Sequence, residues 1–352
     1  MRPRAPALAG AAAAAVLAVG AALAAGSGFR PVELAVRPIE RFLPTSDQTR
    51  FGALEFRGGL ELSAPTTEFA AFSGLDFAAD GRLYAVSDRG RWLRAQPIVE
   101  GGRLTGLEDA VIAPILNHAG DPVVGKRWAD AEGLRIAVRG GRETALVVFE
   151  RSNDVRAFAG PDFPLSRSSD GPLPAGAAKM SGRDGAEAIA VAPDDGPLGG
   201  AMVVVAEVLR DAQGNIVAWI VGGPQAGGFS VLRRDGHDVA DAVFLPGGDL
   251  LTLERRFGLP FGLSIRIRRI PGDALRPGAT VDGPVIFEAT LGHQIDNMEG
   301  IAVTEGPDGE TLVALISDNN LSPLQRTLLL YFALVGERDS TATLPEPDGL
   351  LQ

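Results

Sequence analysis

The chain contains no cysteine, which excludes disulfides, thiolate catalysis and Cys-ligated zinc or iron–sulfur centres. Lysine is almost missing too: Lys126 and Lys179 are the only two, in a sequence rich in arginine, alanine and glycine, a bias that points to a GC-rich bacterial genome. Positive charge is outweighed overall, and a net charge of −11 leaves no basic footprint for a nucleic-acid backbone. The three histidines, His118, His237 and His293, lie far apart, and neither a Gly-x-Ser-x-Gly elbow nor a His-Glu-x-x-His helix occurs. Gly120–Lys126 imitates a phosphate-binding loop, but Arg127 stands where Ser or Thr would hold Mg²⁺ and no helical pattern follows. Trp92, Trp128 and Trp219 read as packing residues.

Long apolar runs are confined to the first 25 residues. Arg2 and Arg4 precede an Ala/Leu/Val/Gly stretch that ends in Ala22-Leu23-Ala24, the pattern of a secretory leader, with an uncleaved membrane anchor as the alternative. A periplasmic or secreted protein is therefore expected, membrane-bound only if the leader stays. The division expected is leader 1–25, one domain over 26–335, and a polar tail over 336–352. A monomer acting on a small molecule fits this plan.

What the sequence does have is a phrase repeated five times: an acid or Ser, a small residue, an apolar strand, a turn, and a second strand with an acid at its end. The copies open at Ser73, Glu132, Glu187, Asp241 and Glu299 and close at Asp88, Glu150, Glu207, Glu254 and Asp318. The small residues Gly74, Gly133, Ala188, Ala242 and Gly300 recur at intervals of 54 to 59 residues. Even spacing in an all-β sequence predicts a propeller with one four-stranded blade per repeat. Outside Gly74–Gly300, and without the leader, about 100 residues remain. They are enough to complete the last blade and add one shorter blade, so six blades are expected. Further strands are expected at Leu54–Ser63, Ile216–Val221, Ser264–Ile270 and Thr327–Val335.

A hairpin leaves and rejoins the same edge of a sheet, so the opening and closing acids are expected around one mouth of the central channel. Such a ring of carboxylates needs cations, either a bound ion or the neighbouring arginines. Calcium, a hard ion taking six to eight oxygens, suits it, although no sequential calcium loop is present. The expected metal ligands are Glu132, Glu187, Asp241 and Glu299. Arg151, Arg255 and Arg326 are expected to hold an anionic group and its developing charge, with Glu150 and His293 as further catalytic candidates. Asp88, Arg89, Glu254, Arg256, Asn297, Asp318, Asn319 and Asn320 are the candidates for substrate contact. The competing reading is that acids and arginines form inter-blade ion pairs that keep the blades in register.

The phrase ends also carry a family resemblance. Tyr84-Ala-Val-Ser-Asp88-Arg89-Gly, Asp130-Ala-Glu132-Gly-Leu, Phe149-Glu150-Arg151, Leu253-Glu254-Arg255-Arg256-Phe257, Asp296-Asn-Met-Glu299-Gly-Ile and Ser317-Asp-Asn-Asn-Leu-Ser-Pro-Leu-Gln-Arg326 together resemble the phytase-like family, labelled "esterase-like activity of phytase". The resemblance implies an exported bacterial propeller and a hydrolase of phosphate or carboxylic esters; joined to the ring of acids, the expectation is a Ca²⁺-dependent one. A lactonase-like sugar-acid hydrolase and a non-catalytic binding or scaffold propeller are the alternatives.

Overall fold

The computed structural model describes residues 28–174, 185–258 and 262–336. The expected leader and most of the expected tail lie outside them.

Five sheets, antiparallel except where Thr280–Val281 pairs parallel with Gly227–Val231 at the edge of the third, stand around one axis. Their innermost strands are Phe72–Phe77, Ala131–Arg139, Ala186–Val191, Asp238–Phe244 and Asn297–Glu305, and each packs against the next until the fifth meets the first. Each inner strand turns back into an apolar second strand: Leu83–Ser87, Arg142–Phe149, Met202–Arg210, Leu250–Gly258 and Thr311–Asp318. The Val, Ile and Leu runs of these second strands are buried on both faces, between neighbouring blades, which is why they read as continuous apolar stretches. The turns are those the sequence marks; Gly140 and Gly141, for instance, both take positive φ (58° and 76°), the requirement of a tight hairpin.

The protein is a five-bladed propeller, not the six-bladed one expected. The residues thought to form a sixth blade are used elsewhere. Leu54–Ser63 pairs with Thr327–Leu334 as the fourth strand of the fifth blade, and Ala35–Ile39 adds a further strand outside it. Arg30–Pro31 pairs at the outer edge of the first blade. That blade also absorbs a long hairpin, Arg91–Glu100 and Arg103–Pro114. The ring is thus closed by both ends of the described chain within one sheet. Leu60 is fully buried in that closing strand, alone worth roughly 1.5–3 kcal/mol.

The repeated small residue has a steric cause. A Cβ on Gly74 would lie 2.6 Å from the backbone nitrogen of Leu134, and one on Gly300 would lie 2.8 Å from the carbonyl of Ser73. At these two positions the inner strands approach too closely for a Cβ. At the fourth and fifth blades an aromatic cluster fills the interface: Phe42, fully buried, meets Phe51 and Phe332 edge-on at 4.9 and 5.1 Å.

Candidate active site at the channel mouth

In every blade the pairing of the first two strands slips by one residue at the same height. The residue left out of the ladder is Ser73, Glu132, Glu187, Ala240 or Glu299. A bulge of this kind turns its side chain away from the alternation of the strand. Across each bulge, the second strand ends with Asp88, Glu150, Glu207, Arg255 or Asp318 at the corresponding level. The mouth is therefore ringed by two residues per blade. Blades one, two, three and five contribute acids, while the fourth contributes Ala240 and Arg255.

This register corrects the fourth copy of the phrase. Asp241 pairs with Leu253, as Gly74 pairs with Val86 and Gly300 with Ile316. It occupies the small-residue position, one step below the mouth, and not the position of the other opening acids. Its Oδ1 accepts from Arg135 Nη2 at 2.9 Å and its Oδ2 from the Ile301 amide at 2.9 Å. Arg135, from the second blade, also donates to the carbonyl of Leu75 at 3.0 Å and to that of Ala242. The pair plugs the channel, and Asp76, accepting from the Ile136 amide at 2.7 Å, stands beside it. Burial raises the carboxyls of Asp241 and Asp76 to about 6, with Arg135 opposing the rise in both. Asp241 is thus a structural anchor, with both oxygens engaged, and leaves the expected ligand set.

Glu254 moves for the same reason. One residue of slip turns it to the opposite face from Arg255. It is fully buried between Arg266 Nε at 2.7 Å and Arg268 Nε at 2.6 Å, with Thr252 Oγ1 donating at 3.0 Å. Arg256 likewise turns from the mouth and donates to the Asp235 carbonyl at 2.9 Å. His293 packs on Phe42 and Phe51, ring centroids 5.1 and 5.6 Å apart, and its Nδ1 accepts from the Thr290 amide. It is part of the aromatic interface and does not reach the acids. Arg326 donates to Gln294 Oε1 at 2.8 Å and to the Ile295 carbonyl at 3.0 Å, holding a loop of the fifth blade. Asn319 and Asn320 shape the turn after Asp318: Asn319 Oδ1 accepts from the Ala71 and Leu321 amides, and Asp318 Oδ1 accepts from the Asn320 amide at 2.6 Å. The Arg89 side chain is exposed at the edge.

The structure does bring together Asp88, Glu132, Glu150, Glu187, Glu207, Glu299 and Asp318, with Arg151, Arg255 and Asn297. It adds Asp130 and Lys126, which were given no role from sequence. Asp130 is fully buried and accepts from Arg151 Nε at 2.7 Å, while Lys126 Nζ lies 2.5 Å from Asp130 Oδ1 and 2.6 Å from Asp88 Oδ2. Arg255 is held by Glu299 and Asn297, and Asn297 Nδ2 donates to Glu299 Oε1 at 2.6 Å. Lys126 belongs to the stretch that imitates a phosphate-binding loop, which carries no such function. Its signal is its scarcity, four residues before an acid.

Eight carboxylates therefore face three cations. Glu132, Asp130, Glu150 and Glu207 form a chain of carboxyl-to-carboxyl contacts, with Ser73 donating to Glu132. Burial, then repulsion from Asp130 and Glu299, holds the Glu132 carboxyl well above the usual range. Glu187 is raised in the same way, by burial and then by Glu132 and Glu299. Glu150 is pushed up to about 8 by burial, Glu207 and Asp130, and Asp318 to about 7 by burial, with Glu299 and Asp88 adding and the Asn320 amide and Arg255 opposing. Glu299 stays raised by burial despite Arg255. Such an array stores protons or attracts a cation. Asp130, Glu132 and Glu150 each offer an oxygen within 4.8 Å of the others, the spacing of an ion's ligand shell. Asp88 Oδ1 is a further buried acceptor without a hydrogen-bond donor among the described residues.

The fold and mouth define a five-bladed propeller with an acidic, cation-seeking centre. The chain belongs to the phytase-like family described as "esterase-like activity of phytase", whose model matches residues 67–321. No curated protein matches the chain. Among solved structures it is similar to an endo-arabinase from Bacteroides thetaiotaomicron, at 10% identity and a TM-score of 0.46, over 77% of this chain and 96% of that one. It is also similar to an α-L-arabinofuranosidase from Lactobacillus brevis, at 11% identity and a TM-score of 0.44, over 76% and 94%.

Proposed function

We propose that the mouth is a Ca²⁺-dependent site for hydrolysis of phosphate or carboxylic esters. The observation that carries this is the excess of converging carboxylates over cations, with three oxygens from Asp130, Glu132 and Glu150 already within 4.8 Å. All are hard oxygen donors, which suits Ca²⁺, and Glu187 stands next to them as a further ligand. A Ca²⁺ ion bound there would polarise the ester oxygen and lower the pKa of a water. Glu150, expected from sequence to act in catalysis, is assigned to holding the ion. Arg255, oriented by Glu299 and Asn297, and Arg151, oriented by Asp130, present N–H donors to the anionic group and its developing charge. Asp318, raised to about 7, is the carboxyl suited to taking and returning a proton near neutral pH.

The lactonase-like alternative asks for asparagine among the ion's ligands. Asn297 is engaged with Arg255 and Glu299, which favours the ester reading. Export fits the same assignment, because extracellular calcium modules work at about 10⁻⁴–10⁻³ M Ca²⁺. The test is turnover of p-nitrophenyl phosphate and p-nitrophenyl acetate before chelation, after it, and after Ca²⁺ is restored. Loss and recovery are expected, with Glu132→Gln inactive in all three. Activity indifferent to chelation would refute the assignment.

A further inference from the structure

Beside the mouth lies a cleft of about 450 Å³, within the range of small-ligand pockets. Its apolar lining is Pro122, Val123, Val124 and Trp128, with His118 and Arg156 among its polar groups. Cleft and mouth share one short element, Lys126–Ala129. Lys126 reaches the mouth acids Asp88 and Asp130, and Trp128, two residues on, lines the cleft. Arg156 Nη1 donates to the Trp128 carbonyl at 3.3 Å, and the Arg127 guanidinium lies over the Trp128 ring, 4.9 Å from its centroid.

Two observations indicate what this cleft takes. Trp128 is 49% exposed and Val124 79%, whereas the other tryptophans, Trp92 and Trp219, are 1% and 8% exposed. Trp128 is thus the exception to the packing role expected of all three. Further exposed apolar side chains follow mouth residues along the chain: Val208 follows Glu207, Phe257 lies two residues after Arg255, and Leu321 and Leu324 lie in the loop after Asp318. Apolar surface left in water next to charged groups marks a binding surface with a dual chemical character.

We infer that the substrate is amphiphilic, with its ester group at the acidic mouth and an acyl or aryl arm laid over Lys126–Ala129 into the Trp128 cleft. This assignment rests on the ester-hydrolase reading for the chemistry at the mouth, but the cleft makes a claim that binding alone can test. Each methylene that enters such a cleft contributes a factor of about four to kcat/KM. The predicted signature is a rise in kcat/KM along a series of p-nitrophenyl esters from acetate to octanoate.

The experiment has two arms. In the first, Trp128→Ala flattens the dependence of kcat/KM on chain length, a change of slope that a general loss of active protein would not produce. In the second, the intact protein is titrated with methylphosphonate and with octylphosphonate while tryptophan emission is followed. Octylphosphonate is expected to blue-shift the emission and methylphosphonate is not, since Trp128 is the tryptophan open to solvent. Val124→Asp, at a highly exposed position that tolerates charge, is expected to abolish the shift and also covers the case in which Trp128→Ala fails to fold. If no ester turns over but octylphosphonate still gives the Val124-dependent shift, the cleft stands and the hydrolase reading falls. If the two phosphonates behave alike, or chain-length dependence survives both substitutions, the cleft assignment is overturned.

Discussion

The acid cluster should make the ion-free protein less stable as pH rises, which is the reverse of the usual effect of carboxylates in ion pairs. Glu150 and Asp318 have folded-state values of about 8 and about 7, against 4.5 and 3.8 without the fold. Between those limits the native state holds more protons than the unfolded state, so stability is full below the ordinary carboxylate range and is lost as pH climbs toward 8. Each shift is roughly three units, or about 4 kcal/mol at 1.36 kcal/mol per unit. Solvent at the open mouth screens part of this and the neighbours share one repulsion, so about 2 kcal/mol each is the working figure. Together that is about 4 kcal/mol, or roughly 8 °C in Tm for a domain of this size. The assay is a melting series from pH 5 to pH 8 in chelator, repeated with Ca²⁺. At a hundred times its Kd, Ca²⁺ should return about 2.7 kcal/mol at pH 8 and less at pH 5, where protons compete for the same oxygens. A Tm that stays flat or rises with pH in chelator, or a Ca²⁺ shift equal at both ends, would refute the reasoning.

Three further outcomes follow from the geometry. Asp241→Ala leaves Arg135 buried with its charge unpaired and should cost about 3–5 kcal/mol, read from denaturant melts, while Ca²⁺ affinity measured by calorimetry is retained. Arg255→Leu removes the one cation that the fourth blade supplies; it should raise Ca²⁺ affinity, by calorimetry, and abolish turnover of phosphate esters. Gly74→Ala drives a Cβ against the Leu134 backbone and should destabilise by about 1–3 kcal/mol, seen as a lower midpoint in urea at unchanged slope.

Much of the fold can be read from the sequence because a propeller repeats its constraints. Gly74 and Gly300 stand where neighbouring backbones nearly touch, and the turns recur because each hairpin needs positive φ. The blade count cannot be read the same way. Length says how many residues remain, but not that Leu54–Ser63 pairs with the far end of the chain instead of forming a sheet of its own. The displacement of Asp241 was legible, though from a different anchor. Aligned on their turns, Phe77–Leu83 and Phe244–Leu250 have the same length, and Asp88 then falls opposite Arg255 rather than Glu254. Aligning on the opening acid concealed this, because the fourth phrase happens to carry an acid at the small-residue position. Lys126 and Asp130 remained hidden because they belong to a connecting segment whose path no repeat dictates.

The residues that the fourth blade places at the shared bulge, Ala240 and Arg255, give the mouth a direction. Five equivalent blades would surround the axis with the same charge on every side, and a bound molecule could sit in any of several rotated poses. With Ala240 and Arg255 in place of two acids, one sector is positive, while the sector formed by the second and third blades is the most negative. On the proposed ester-hydrolase reading, an ester with an anionic end would be held in a single orientation, its charge toward the fourth blade and its reacting centre over Glu132 and Glu150. A scaffold built by repetition acquires asymmetry of charge from two residues in one of its five equivalent strand pairs.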